Sequence, residues 1–195
     1  MIIREYCEED EQAWLRCRAV SFLDCSYWND VKTSKEKYDN QSISMVAEDD
    51  GRIVGFIETE LNSNDATCNK AGEDNAVIWH LGVLPEYRKH SVASKLWNET
   101  KKRLVNLNIH YCEVWTQEDE PANRFYINMG FILEKEQTWL RCYVRGEKCN
   151  EFLNGKLSGI YGPEELIFDA KVNQKEKYKD ICYRMDEVRL YSMRF

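Results

Sequence analysis

The sequence predicts a mixed α/β fold, with a central mixed β-sheet and helices on both faces. Three observations carry that expectation. The run AVIWHLGVL at 76–84 is almost continuously apolar, as a central strand covered on both sides must be. Strand-like and helix-like patterns alternate through the middle of the chain, with hairpin patterns outside them. The 195 residues suffice for one domain with a sizeable core.

Each element follows from its own pattern. MIIREY is a short strand, and EEDEQAWLRCRAVSFL is a helix with acidic residues in its first turn. Residues 24–40, polar and aromatic, read as a short helix plus loop. SISMVAE and IVGFIETE flank the turn signal DDGR, so 42–60 form a β-hairpin. Residues 61–75 are polar and aperiodic, and loops of that length tend to be functional or mobile. After the 76–84 strand, Val92, Ala93, Leu96, Trp97, Thr100 and Leu104 recur at helical spacing. IHYCEVWT (109–116) is a strand. EPANRFYINMG is a short helix, with Pro121 near its first turn and Gly130 just past its end. Ala122, Phe125, Tyr126 and Met129 share one face of it. FILEKEQTWLRCYVR (131–145) reads as one long strand and ICYRMDEVRLYSMRF (181–195) as the last. The chain is expected to be a single domain over 1–195, with 146–180 inserted before the final strand. Phe152, Leu153, Leu157, Ile160, Tyr161, Leu166, Ile167 and Phe168 give that insertion apolar anchors, so it is ordered rather than a linker.

Composition narrows the function. No apolar stretch approaches the roughly 18–20 residues that span a bilayer, and the N-terminus lacks the basic and apolar regions of a signal peptide. A cytoplasmic protein with no membrane partner is expected. The eight cysteines include no C-x-x-C pair and do not complete a zinc spacing with His80, His90 and His110. Reduced thiols and no metal follow. A pI near 5.2 and a net charge of −7 argue against a nucleic-acid partner.

Against that acidic background, residues 84–103 hold six basic residues and two acidic ones. They fall where the apolar strand turns into a helix. Such a turn exposes backbone N–H groups without helical partners and adds the helix dipole, a combination suited to phosphate oxygens. A solvated helix face is the other account of the same charges.

LGVLPEYRKHSVASKLW resembles the acetyl-CoA-binding motif of the GNAT superfamily of N-acetyltransferases, and ANRFYINMGF (122–131) resembles the second block of that family. Two blocks in order, about thirty residues apart, are fairly specific. The resemblance covers roughly residues 1–145, with the last strand supplied by 181–195. It implies direct acetyl transfer from acetyl-CoA to an amine, without a covalent enzyme intermediate. It also implies that Leu81 and Val83 bond the pantetheine arm through their backbones, with Val83 at a strand bulge that polarises the carbonyl. The amides of Arg88, Lys89, His90, Ser91, Val92, Ala93 and Ser94 would bind the pyrophosphate, and Asn123 the cofactor arm. Tyr126 would protonate the leaving sulfur; as a residue alone it is equally a core tyrosine. One position departs from the pattern: Ser91 stands where the family has its first glycine.

The acceptor amine must lose a proton, since a lysine-like amine has a pKa near ~10.4. Glu58, Glu60, Glu113 and His80 are the candidate bases, although strand alternation turns His80 away from Trp79, Leu81 and Val83 and makes it a core histidine unless a bulge intervenes. Glu58, Glu60, Asp65, Glu73 and Asp74 against a single Lys70 suggest a cationic acceptor, a primary amine of a small molecule or peptide. Acidic loops that merely keep the protein soluble are the equal alternative. Residues 146–180 would roof the acceptor cleft or build a homodimer contact. A non-catalytic acyl-CoA-binding or regulatory module on the same fold stays open beside the enzyme.

Overall fold

The computed structural model describes residues 1–62, 75–151 and 164–195. The acidic residues Asp65, Glu73 and Asp74, with Lys70 and Cys68, lie outside the described residues, as do the anchors Phe152, Leu153, Leu157, Ile160 and Tyr161.

The described strands are β1 (Ile2–Glu5), β2 (Ser42–Asp49), β3 (Arg52–Leu61), β4 (Ala76–Val83), β5 (Tyr111–Thr116), β6 (Ile132–Leu133), β7 (Trp139–Arg145), β8 (Glu165–Lys171) and β9 (Arg184–Arg194). The helices are α1 (Glu11–Phe22), α2 (Val92–Asn106), α3 (Glu120–Asn128) and the short α4 (Lys175–Tyr178). One sheet runs in the order β1-β2-β3-β4-β5-β9-β7-β8, with β6 also on β9. Among the described strands only β4 and β5 pair in parallel, joined through α2, so the sheet is mixed as its alternating pattern predicts.

The hairpin turn forms at Asp50 and Gly51, with φ of 48° and 74°, the left-handed pair that a two-residue turn requires. Gly55 and Phe56 point to opposite faces of β3 and identify the two helical layers. A Cβ on Gly55 would meet Val92 and Leu96 of α2, while the Phe56 ring lies 5.1 Å from that of Trp14 in α1. Trp14 and Phe56 are both fully buried, a gain of roughly 2–3 kcal/mol each over leaving them in water. On the α2 side, Trp97 packs on Phe131 at 5.1 Å, and Phe131 on Tyr126 of α3 at 5.5 Å.

Two expectations are corrected. Residues 24–40 form turns and extended chain rather than a short helix. The expected strand 131–145 is broken into β6 and β7 by a tight helical turn at Lys135–Gln137, where the polar run Glu134–Gln137 offers the sheet nothing to bury. Within 146–180, Leu166, Ile167 and Phe168 belong to β8, which extends the sheet beyond β7.

Candidate active site

β4 pairs with β5 only from Ala76 to Ile78, yet continues to Val83, so the two strands part and leave a gap in the sheet. Along the other edge β4 stays on β3, and Leu84 N–H donates to Val54 C=O at 3.0 Å. Amides alternate along an antiparallel ladder, so those of Gly82 and His80 also face β3. Those of Leu81 and Val83 face the gap.

Beyond the gap the chain turns through Pro85–Tyr87 into α2. Lys89 and Ser91 take left-handed φ values of 64° and 60°. Only this backbone sharpness starts α2 immediately after the turn, and it explains why a glycine suits position 91. Lys95 N–H makes the first helical bond, to Ser91 C=O, which leaves the amides of Ser91, Val92, Ala93 and Ser94 without helical acceptors. Lys89, His90 and Ser91 are exposed beside them. Arg88 differs from the expectation. Its amide donates to Pro85 C=O, and its guanidinium is spent on Val83 C=O, Ser21 C=O and the Asp24 carboxylate. It ties the end of β4 to the end of α1.

Asn123 is likewise spent inside the protein. Its Nδ2 donates to Gln117 and Asp119 carbonyls at 2.7 and 2.8 Å, and its Oδ1 accepts from Tyr191 Oη at 2.8 Å and Arg189 at 3.3 Å. The side chain fixes the start of α3 against β9 and has no hydrogen-bonding capacity left for a cofactor arm. Tyr126, one turn on, is 6% exposed, and among the described residues no group bonds its hydroxyl. Burial pushes that hydroxyl's pKa well above its ordinary value.

The register between β3 and β4 slips at Trp79: Glu58 faces His80, but Thr59 faces Ile78. The bulge therefore lies at Trp79 and not at Val83, which pairs regularly with Gly55. With an extra residue in the strand, Trp79 and His80 both project toward the α1 face. Trp79 Nε1 donates to Glu60 at 2.8 Å, and His80 Nε2 donates to Glu36. His80 is thus mostly buried and satisfied by Glu36. Glu36 belongs to residues 31–41, an irregular strap lying across this face. Hydrogen bonds from His80 and Lys32 hold the Glu36 carboxyl down at about 2. Glu58 is fully buried and accepts from Trp14, Ser44 and Lys35. Burial pushes its pKa up, against the pull of Lys35. Glu113, also fully buried, accepts from Tyr111 Oη at 2.7 Å.

A family model described as Acetyltransferase (GNAT) family matches residues 2–131. The chain belongs to the GNAT acetyltransferase family. The GNAT fold is also found in an N-acetyltransferase from Staphylococcus aureus Mu50, similar with a TM-score of 0.60 at 13% identity, over 99% of this chain and 97% of that one. PaiA N-acetyltransferase from Thermoplasma acidophilum, solved in complex with coenzyme A, gives 0.55 at 18% identity, over 68% and 90%. A GNAT family acetyltransferase from Brucella melitensis, solved in complex with acetyl-CoA, gives 0.50 at 19% identity, over 67% and 82%.

In this GNAT chain the residues around the gap come from two sequence-local blocks, which is why the sequence exposes them. The α1 face does not. Glu36, Lys35 and Tyr38 reach it from the strap, where no motif marks them, and their one common signal is the mixture of charged and aromatic residues in KEKY. Among the described residues no group of three or more His, Cys, Asp or Glu side chains is arranged to hold a metal. No described helix is long and apolar enough to cross a membrane.

Proposed function

We propose that the chain is an acetyl-CoA-dependent N-acetyltransferase that moves an acetyl group directly to a primary amine of a small molecule or peptide. One observation carries this: the gap between β4 and β5, with the Leu81 and Val83 amides turned into it and the free N-terminal amides of α2 at its end. Those donors fit an extended amide-bearing arm and a pyrophosphate.

Acetyl-CoA supplies the acetyl group already activated as a thioester. The backbones of Leu81 and Val83 hold the arm in extended form, and a gap-facing amide donates to the carbonyl oxygen as negative charge gathers there. The amides from Lys89 to Ser94, with the Lys89 and His90 side chains, take the pyrophosphate. Arg88 and Asn123 act one step back, by fixing the end of β4 and the start of α3. The bond from its Nε2–H to Glu36 orients the His80 ring so that Nδ1 can take the acceptor's proton, on the face opposite α2. Burial keeps the Tyr126 hydroxyl protonated, as a donor to the departing sulfur must be.

Calorimetric titration of acetyl-CoA into the protein should give one-site binding, and release of free thiol should appear with members of a primary-amine panel. Binding without thiol release from any amine would leave a non-catalytic acyl-CoA module. No binding at all would end the transferase reading.

A further inference from the structure

The sheet face under α1 carries a ring of groups closed around one ammonium. Lys35 Nζ lies 2.9 Å from Glu58 Oε2 and donates to Ser44 Oγ at 3.1 Å. It stands 4.8, 5.7 and 5.8 Å from the ring centroids of Tyr6, Trp14 and Tyr38. Trp14 Nε1 donates to the other oxygen of Glu58 at 3.0 Å, so the carboxylate is fixed in orientation. Three aromatic rings, a carboxylate and a hydroxyl around a single cation are the parts of an alkylammonium cage.

The walls and the occupant have different origins. Tyr6 follows β1, Trp14 is on α1, Ser44 on β2 and Glu58 on β3, all parts of the packed core. Lys35 comes from the strap, which forms no ladder there. Side chains tether it: Glu11 accepts from Lys35 N–H, Glu36 from His80, and Glu60 from Asn40. Four of the five walls therefore stay in place if the strap lifts.

Charge explains why the chain fills its own cage. Glu58 is fully buried, and a buried carboxylate stripped of its cation is strongly destabilising. Lys35 keeps the ring neutral when nothing else does, and another ammonium can replace it without leaving the carboxylate bare. More is present than Lys35 uses. Glu60, on the same face and 5% exposed, is held by Asn40 and Trp79, and among the described residues no cation pairs with it. The Tyr38 hydroxyl is buried without a partner among the described residues. Glu58 is also the cross-strand neighbour of His80, so the cage adjoins the proposed base.

We propose that this cage is the subsite for a lysine-like alkylammonium group on the acceptor, and that Lys35 is a built-in stand-in which that group displaces. The acceptor would then carry a second ammonium beside the amine that is acetylated, as an alkyl diamine unit does. The word acceptor rests on the transferase reading; the cation site does not.

The test uses n-butylammonium as the probe, titrated into the 195-residue chain without acetyl-CoA. Lys35→Ala should bind it saturably and roughly tenfold or more tighter than the wild type, and adding Glu58→Gln should abolish that gain. Equal affinity in wild type and Lys35→Ala overturns the proposal. Lys35→Met keeps the apolar stem and removes the charge, and it replaces Lys35→Ala if the latter does not fold. A second measurement needs no variant. In the wild type the Trp14 indole N–H resonance should shift saturably as Lys35 is expelled, and a resonance unmoved by the probe also overturns the idea. A failed cage leaves acetyl-CoA binding untouched, whereas a chain that takes n-butylammonium but not acetyl-CoA keeps the cation site and loses its link to acetyl transfer.

Discussion

Ser91 stands at φ 60° and ψ 19°, a region that costs a residue with a Cβ about 1–2 kcal/mol. The residue is exposed, so its Cβ meets no wall and the cost is local. Ser91→Gly should hold or raise stability by up to ~1 kcal/mol, and Ser91→Val should lower it by ~1–2 kcal/mol, both read from denaturant midpoints. The hydroxyl of Tyr126 is a different case: the residue is buried, and among the described residues nothing hydrogen-bonds that hydroxyl. Tyr126→Phe should leave stability and acetyl-CoA affinity unchanged but cut turnover by roughly 100-fold, the scale of one lost proton donor. Unchanged turnover would make Tyr126 a core ring and nothing more. Both residues were visible in the sequence because each stands inside a local block. The spent side chains of Arg88 and Asn123 were not, since their partners Asp24 and Tyr191 are more than sixty residues away.

At the scale of elements, β4 is shaped by what it touches on each edge and face. Gly82 lets Phe56 and α1 close over the strand: a Cβ there would lie 2.5 Å from Phe56 Cε1 and 3.1 Å from Ser21 Cβ. The Phe56 ring is fully buried and has nowhere to retreat, so Gly82→Ala should destabilise by about 2 kcal/mol in equilibrium unfolding. The strap is held differently, by charges. Glu36 titrates at about 2 in the fold against its ordinary 4.5, because His80 and Lys32 favour its charged form. A depressed carboxylate stabilises the fold above its unfolded pKa and loses that contribution as pH falls toward the folded value. With the Glu36 side chain 33% exposed, solvent screening limits the effect to below about 1 kcal/mol. Wild-type stability should therefore fall more steeply than that of Glu36→Gln between pH 4.5 and 2, as measured by urea unfolding at both ends. Identical slopes would show that the pair contributes nothing to folding.

For the whole molecule, β7 is tied to β9 on one edge and to β8 on the other, along Trp139–Lys171 through Arg145–Glu165. The 146–180 region thus contributes a strand to the same sheet, and we expect the chain to unfold as one domain. Tryptophan fluorescence and far-ultraviolet dichroism should melt together, and separate transitions would divide the chain. The 42–60 hairpin, the strand–helix–strand at the centre, the mixed sheet and the two motif blocks were set by the sequence alone, because periodicity, turn residues and motif spacing act over a few neighbouring residues. Only the tertiary structure decided the rest. The bulge at Trp79 depends on how β4 registers on β3, and it turns Trp79 to the same side as His80. The Lys35 cage gathers Trp14, Ser44 and Glu58 from three separate elements and Tyr6 from just past a fourth. Such juxtapositions follow from strand register and from the paths of connecting segments, and no local pattern of residues encodes either.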